Sequence, residues 1–427
     1  MDTNDFLGSF AQENVSFTTQ IVKSTSVGDN FWTVIVFVES DRFVDATGAD
    51  WETAPGLPTC KVLVVNADTY SQYTSGLLAS WLYDLFCNGF TGNCILAAPC
   101  ASTVAPTITY DQVTPIGSED PSAEGWYEYD EGTQTYSASA DTTVDASKTY
   151  YKQVSTPGFV AAMEEAYEIL KPYAYHKTVC AGATDAVPAS IAVSLAKKCM
   201  ADEYLSGAPL LPVLNPTLES DALYKPLKDA NADAFMGWHS DSTRNVALYS
   251  LGLALAAKNG SQTAVGNAMD MTKSTNITAS NNGVNPTPGQ KSTLKSAYVQ
   301  YMKTVGDNSG SVAAETDKTI LGKVYAAYWI LAYVTYMTKV GIAQKITERN
   351  FFKNSANYRQ LVGVMTGYID LFKDAGLLEN VVYNVPEFQN LPESDASDTI
   401  TIQDAWAADY VNHLRRAKIS GNLYINA

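Results

Sequence analysis

FWTVIVFVE, residues 31–39, is apolar almost throughout and rich in β-branched and aromatic side chains, so it reads as a core strand. KVLVV, residues 61–65, repeats that character. Residues 70–86 then place Leu77, Leu78, Trp81, Leu82 and Leu85 at helical spacing, and residues 95–98 form a short strand. Strand, helix, strand predicts an α/β layer.

The same alternation returns after Thr156. Residues 158–170 predict an amphipathic helix stopped near Pro172, residues 176–181 a strand, and residues 188–204 a helix with Ile191, Leu195 and Cys199 along one face. Residues 208–214 are a short apolar run, 234–238 a strand, and 245–257 a helix running towards the stop signal Asn259-Gly260. Residues 263–290 are rich in Asn, Thr, Ser, Gly and Pro and read as loops; 291–305 read as helix or strand. Residues 318–338 predict a Tyr-rich buried helix. Its apolar part, VYAAYWILAYVTYM at 324–337, is shorter than the ~20 residues a bilayer needs. A helix at 354–375 stopping at Gly376, a strand at 379–385, and a strand passing into a polar segment or helix at 399–416 complete this part.

Residues 110–152 differ in character. Asp111, Glu119, Asp120, Glu124, Glu128, Asp130, Glu131, Asp141 and Asp145 occur with no Lys or Arg among them. GWYEYDEGTQTY and DTTVDASKTYYK put Tyr-rich alternating segments beside Asp-Glu-Gly and Asp-Ala-Ser turns, which predicts small hairpins. We read this stretch as an inserted, surface-exposed β module; a long acidic loop is the alternative.

Both ends alternate with period two. In VSFTTQIVK, Val15, Phe17, Thr19 and Ile21 share a face. In KISGNLYIN, Ile419, Gly421, Leu423 and Ile425 share one, with Lys418, Ser420, Asn422, Tyr424 and Asn426 opposite. The backbone groups of such strands need partners. They find them in their own subunit or by adding to the sheet edge of a neighbour. Arg415, Arg416 and Lys418 are the densest basic spot; they serve either as a docking contact for an acidic partner or as a solvated helix end.

The chain has 427 residues, enough for several domains, of which 46 % are apolar and only 17 % charged. So low a charge density implies a surface covered by something other than water, most simply copies of itself. A net charge of −17 argues against nucleic acid and against an anionic membrane as partners. MDTNDFLGSF has neither a basic nor an apolar signal region, so the six cysteines are expected as free thiols made in a reducing cytoplasm. Cys87, Cys94 and Cys100 lack the paired spacing of a zinc site.

Catalytic patterns are absent: no nucleophile elbow, P-loop, H-E-x-x-H or dinucleotide fingerprint. Of the three histidines, His176 adjoins a strand, His239 sits in WHSD with Asp241, and His413 lies in NHLRR. An isolated His–Asp pair is common in turns. We expect no catalytic, cofactor-binding or metal-binding residue, and no enzyme.

The carboxy-terminal third resembles the sheath proteins of contractile phage tails. The likeness rests on the helical region 318–375, then ENVVYNVPE, then TITIQDAWAADYVNHLRRAKISGNLYINA. The family's small-residue, aspartate-and-arginine word before a final strand stands here as Ala408-Asp409-Tyr410-Val411-Asn412, with Arg415 and Arg416 displaced by a few residues. GWYEYDEGTQTY and DTTVDASKTYYK also resemble short segments of tail proteins from gut-bacterial phages.

The resemblance implies a mixed α+β and α/β multidomain fold, with helices packed on mixed sheets, an inserted β module and terminal β arms. The expected division is an arm at 1–24, a sheath domain at 25–109 and 156–310 interrupted by the module at 110–155, a helical/β core domain at 311–416 and a second arm at 417–427. It implies a virion structural subunit, made in the host bacterial cytoplasm, that forms hexameric rings stacked helically around a tail tube protein. Baseplate and tail terminator proteins would be further partners. Contraction would drive the tube through the host envelope without a cofactor. The arm residues Val15, Phe17, Thr19, Ile21, Ile419, Gly421, Leu423 and Ile425 would join neighbours; Asp409, Arg415, Arg416 and Lys418 would contact tube or neighbour. The alternatives are another tail structural protein (tube, ring or completion component) or a cell-surface module with the Tyr-rich hairpins as a carbohydrate platform.

Overall fold

The structure is a computed structural model. It describes residues 32–44, 51–54, 56–101, 104, 107–115, 119–156, 158–180, 189–201, 213–214, 221–241, 243–256, 273–274, 276–277, 287–304, 312–315, 318–347, 354–391 and 405–410. The strands are β1 (Thr33–Val38), β2 (Glu52–Ala54), β3 (Leu57–Asn66), β4 (Asn93–Ala98), β5 (Thr107–Val113), β6 (Trp126–Asp130), β7 (Thr135–Ala138), β8 (Tyr150–Thr156), β9 (His176–Cys180), β10 (Val213–Leu214), β11 (Phe235–Trp238), β12 (Lys273–Ser274), β13 (Gln300–Thr304), β14 (Val312–Glu315), β15 (Leu378–Tyr383) and β16 (Trp406–Tyr410). The helices that matter below are α1 (Gly76–Phe86), α2 (Gly158–Leu170), α3 (Ala189–Ala201), α4 (Asp221–Asp229), α5 (Val246–Leu255), α6 (Pro288–Ser296), α7 (Tyr325–Ile346) and α8 (Ser355–Asp374).

β1 lies inside a five-stranded mixed sheet of order β2-β3-β4-β1-β9, parallel to both its neighbours. All six of its side chains are buried, as its unbroken apolar run requires. β3 runs antiparallel to β4. A second mixed sheet has the order β10-β11-β13-β14-β12. α1 and α5 cross so tightly that a Cβ on Gly252 would lie 2.1 Å from the Leu85 carbonyl oxygen. One continuous apolar core runs through both sheets and the helices.

α7 ties this core together with aromatic rings. Trp329 and Tyr333, one turn apart, stack with centroids 5.4 Å apart, and both meet Trp32 beside β1. Tyr325 stacks on Phe235 of the second sheet, Tyr336 meets Tyr175, and Tyr333 meets Phe372 of α8. Among the described residues no helix is long and apolar enough to cross a membrane.

Residues 107–156 form a separate four-stranded antiparallel sheet, order β5-β8-β6-β7. It falls in the chain between β4 and β9, which belong to one sheet. β6 and β7 are joined by a turn in which the Asp130 carboxylate accepts the Gly132 N–H at 2.8 Å. Asp145 caps the Asp-Ala-Ser turn in the same way, accepting the Ser147 N–H at 2.9 Å.

Several elements differ from expectation. The helix expected from residue 70 is a 3-10 turn, Tyr70–Gln72, followed by α1, because Gly76 takes a φ of +86° at the junction. The helix expected from 318 starts at Tyr325: Lys318–Val324 is a closed turn around Gly322, at φ +83°. Residues 291–305 hold both elements in succession, α6 with a Thr287/Gln290 capping box and then β13. Of the segment 399–416 only residues 405–410 are described, and there Trp406–Tyr410 is a strand; the rest of that expectation lies outside the described residues.

Candidate assembly surface

α8 begins at Asn354, whose side chain accepts the Asn357 N–H at 2.9 Å, and its C-terminal turn is closed by Gly376 at φ +71°. β15 follows at once and pairs with β16 as a two-stranded antiparallel ribbon. The register matches Leu378 with Tyr410 and Tyr383 with Trp406, and slips by a bulge between Glu379 and Val382. Asn380 occupies the bulge at φ +48°, a conformation that Asn tolerates better than most residues.

The ribbon has two unlike faces. Val381, Tyr383, Trp406 and Ala408 pack against the main core. Glu379, Val382, Ala407 and Asp409 are exposed, Val382 by 52 %. Tyr383 Oη donates to Asp370 Oδ1 of α8 at 2.7 Å, and Tyr358 Oη donates to the Pro386 carbonyl at 2.8 Å. Burial, helped by the Asp370 carboxylate, pushes the Tyr383 hydroxyl above its ordinary range and keeps it a donor. The ribbon is thus pinned on one side and exposed on the other.

Among the described residues no further strand pairs with either edge of this ribbon. An open strand edge is a template for another strand. Four to six added ladder bonds, at about 0.5–1.5 kcal/mol each, would give several kcal/mol per incoming segment.

Of the residues singled out in the sequence, Asp409 lies on the exposed face of β16, where its carboxylate accepts from Asn380 Nδ2 at 2.8 Å. Val15, Phe17, Thr19, Ile21, Arg415, Arg416, Lys418, Ile419, Gly421, Leu423 and Ile425 lie outside the described residues. Val382 was not singled out; its place as the outward residue of ENVVYNV was readable from alternation, but its partner strand was not.

His239 is buried, and its Nδ1 accepts the Asp241 N–H at 2.9 Å, the geometry of a turn. Burial pushes the Cys60 and Cys87 thiols up to about 12, which holds them protonated. Among the described residues no group of His, Cys, Asp and Glu could hold a metal ion. The buried carboxylates are tied to structure. Asp84 accepts from Arg244 and from the Asn245 N–H at 2.7 Å; Asp233 accepts from Thr319 Oγ1 at 3.0 Å and the Leu321 N–H at 3.1 Å.

The fold is of the mixed α/β class, with several sheets and helices on their faces. No family model matches the chain, and no curated protein matches it. Among solved structures it is similar to a sheath tail protein from Listeria innocua, over 89 % of this chain and 92 % of that one, with 11 % identity and a TM-score of 0.40. A likeness of that size decides neither family nor activity.

Proposed function

We propose that this chain is a structural, self-assembling subunit of a contractile phage tail, the sheath around the tube. The observation that carries the proposal is the β15–β16 ribbon, two strands pinned to α8 with edges that no described strand fills. A segment of nearly strict alternation, Ile419 to Ile425, follows β16 closely in sequence and has the pattern of an added strand. The low charge density and the resemblance of residues 318–427 to sheath proteins support the same reading. On it, subunits form hexameric rings stacked helically on a tail tube protein. Arms keep the rings linked while subunits rotate, and contraction releases free energy stored at assembly. Many weak links become effectively intramolecular in such a lattice. Baseplate and terminator proteins would set its two ends.

The test is negative-stain microscopy of the purified chain beside a variant lacking residues 418–427. The full chain is expected to form striated hollow cylinders. The truncated chain should keep its circular dichroism spectrum and sediment as a single subunit. Cylinders formed equally well by the truncated chain would overturn the proposal.

A further inference from the structure

The four-stranded sheet has one face closed by its own loops and one that is not. Register sorts the side chains. Tyr127 is level with Tyr151 and Ala138, Tyr129 with Tyr136, and Tyr110 with Gln153, so these share a face. Trp126, Glu128, Tyr150 and Lys152 share the other. There Trp126 and Tyr150 are buried, and the loop after β7 folds over them: Tyr150 Oη donates to Asp141 at 2.7 Å, and Ser139 Oγ to Glu128 at 2.6 Å.

The first face carries five tyrosines: Tyr110, Tyr127, Tyr129, Tyr136 and Tyr151. Tyr110 and Tyr136 stand on the two outer strands, about 14 Å apart along the sheet at a spacing of ~4.8 Å per strand. Yet their rings stack in parallel with centroids 3.8 Å apart. They lean towards each other across Tyr127 and Tyr151, whose rings meet them edge-on at 5.2 and 5.1 Å. Tyr129 extends the cluster and is 40 % exposed; Ile108, on the same face, is 52 % exposed. Tyr127 Oη donates to Gln153 Oε1 at 2.9 Å, which fixes the amide among the rings.

The charge pattern selects the occupant. The strand carboxylates Asp111, Glu128 and Asp130 all fall on the opposite face, so no strand carboxylate stands among the tyrosine rings to pair directly with a cation. The surrounding stretch, with its nine acidic residues and no Lys or Arg between 111 and 145, repels a polyanion. Burial, then the neighbouring Tyr151, Tyr129 and Tyr110, raises the Tyr136 hydroxyl and keeps that centre neutral. What remains is an uncharged surface of ring faces, phenol hydroxyls and amides. Ring faces take the C–H side of a sugar ring, and hydroxyls and amides take its O–H groups.

We propose that the tyrosine face of residues 107–156 is a binding surface for an uncharged polysaccharide. The proposal does not depend on the sheath assignment, because it needs only the folded chain.

The test is biolayer interferometry of the full-length chain on immobilised xyloglucan, galactomannan and dextran, with heparin and alginate as polyanions. Binding is expected to at least one uncharged polysaccharide and to neither polyanion. Tyr129→Ala, at the exposed rim, should weaken it about three- to tenfold, the scale of one lost aromatic contact. Tyr136→Phe should keep most of the binding, since it keeps the ring. Asp111→Asn, on the other face, should leave it unchanged. The proposal fails if no uncharged polysaccharide binds, if polyanions bind instead, if Asp111→Asn weakens binding as much as Tyr129→Ala, or if Tyr129→Ala changes only the sedimentation of the chain. That last result would assign the face to a second copy.

Discussion

Asp84→Ala tests whether α1 and α5 are held together by charge as well as by shape. Asp84 is fully buried, while the Arg244 side chain keeps 20 % of its surface in water. The carboxylate accepts from Arg244 Nη2, from Arg244 Nε at 2.9 and 3.2 Å, and from the Asn245 N–H at the start of α5 at 2.7 Å. Burial pushes the Asp84 carboxyl up, and Arg244 with the Asn245 N–H pulls it back down. Removing it takes the carboxylate from a half-buried guanidinium, which keeps the Asn276 carbonyl at 3.1 Å, and leaves the buried Asn245 N–H without this acceptor. Breaking a buried pair costs about 3–5 kcal/mol, and the partial exposure of Arg244 places the expected loss near the lower end, about 3 kcal/mol. Urea unfolding followed by circular dichroism at constant m-value measures it. Asp84→Leu with Arg244→Leu removes both charges and should cost clearly less than the two single changes added together. Strict additivity, or a loss below about 1 kcal/mol for Asp84→Ala, would refute the electrostatic account and leave packing alone as the link.

Gly252→Ala should destabilise by about 1–3 kcal/mol or more, read as a lower urea midpoint, because its methyl would sit 2.1 Å from the Leu85 oxygen at the α1–α5 crossing. Hydrogen bonds hold the carboxyls of Asp120, Asp130, Asp141 and Asp145 below the ordinary range, with Ser122, the Gly132 N–H, Lys148 and Ser147 as leading partners. Their contribution is present above the unfolded value of about 3.9 and is lost as pH falls through the folded values, so the small sheet should loosen below about pH 4. The difference in tryptophan fluorescence between the chain and Trp126→Phe checks this; an unchanged difference spectrum down to pH 2 would contradict it.

Much of the core was legible because it obeys period. β1, α2, α3, α5 and α8 follow from runs such as TVIVFV and from stop signals such as Gly376. Other elements carried no such signal. β12 is Lys-Ser and β14 is Val-Ala-Ala-Glu, held by their neighbours in the ladder and not by any pattern of their own. α4 contains Pro226, which argues against a helix when read locally. Asp84 and Arg244 are 160 residues apart, and nothing in either neighbourhood announces the other. On the assembly surface, β15 could be read from ENVVYNV. Its partner, Trp406–Tyr410, falls inside the segment 399–416, but its bounds were not legible because three short residues, Ala407, Ala408 and Asp409, separate Trp406 from Tyr410 and leave no continuous apolar face.

The small sheet leaves and re-enters the chain through neighbouring strands: β5 and β8 lie side by side, with Thr107 level with Thr156. Its two attachment points are therefore one strand spacing apart, about 4.8 Å. To the rest of the molecule it is a socket of fixed width, indifferent to what is plugged in. Doubling the length between those points adds only about 0.6 kcal/mol of closure entropy. A lineage could exchange this cassette, lengthen it or drop it while the packing of both large sheets stays as it is.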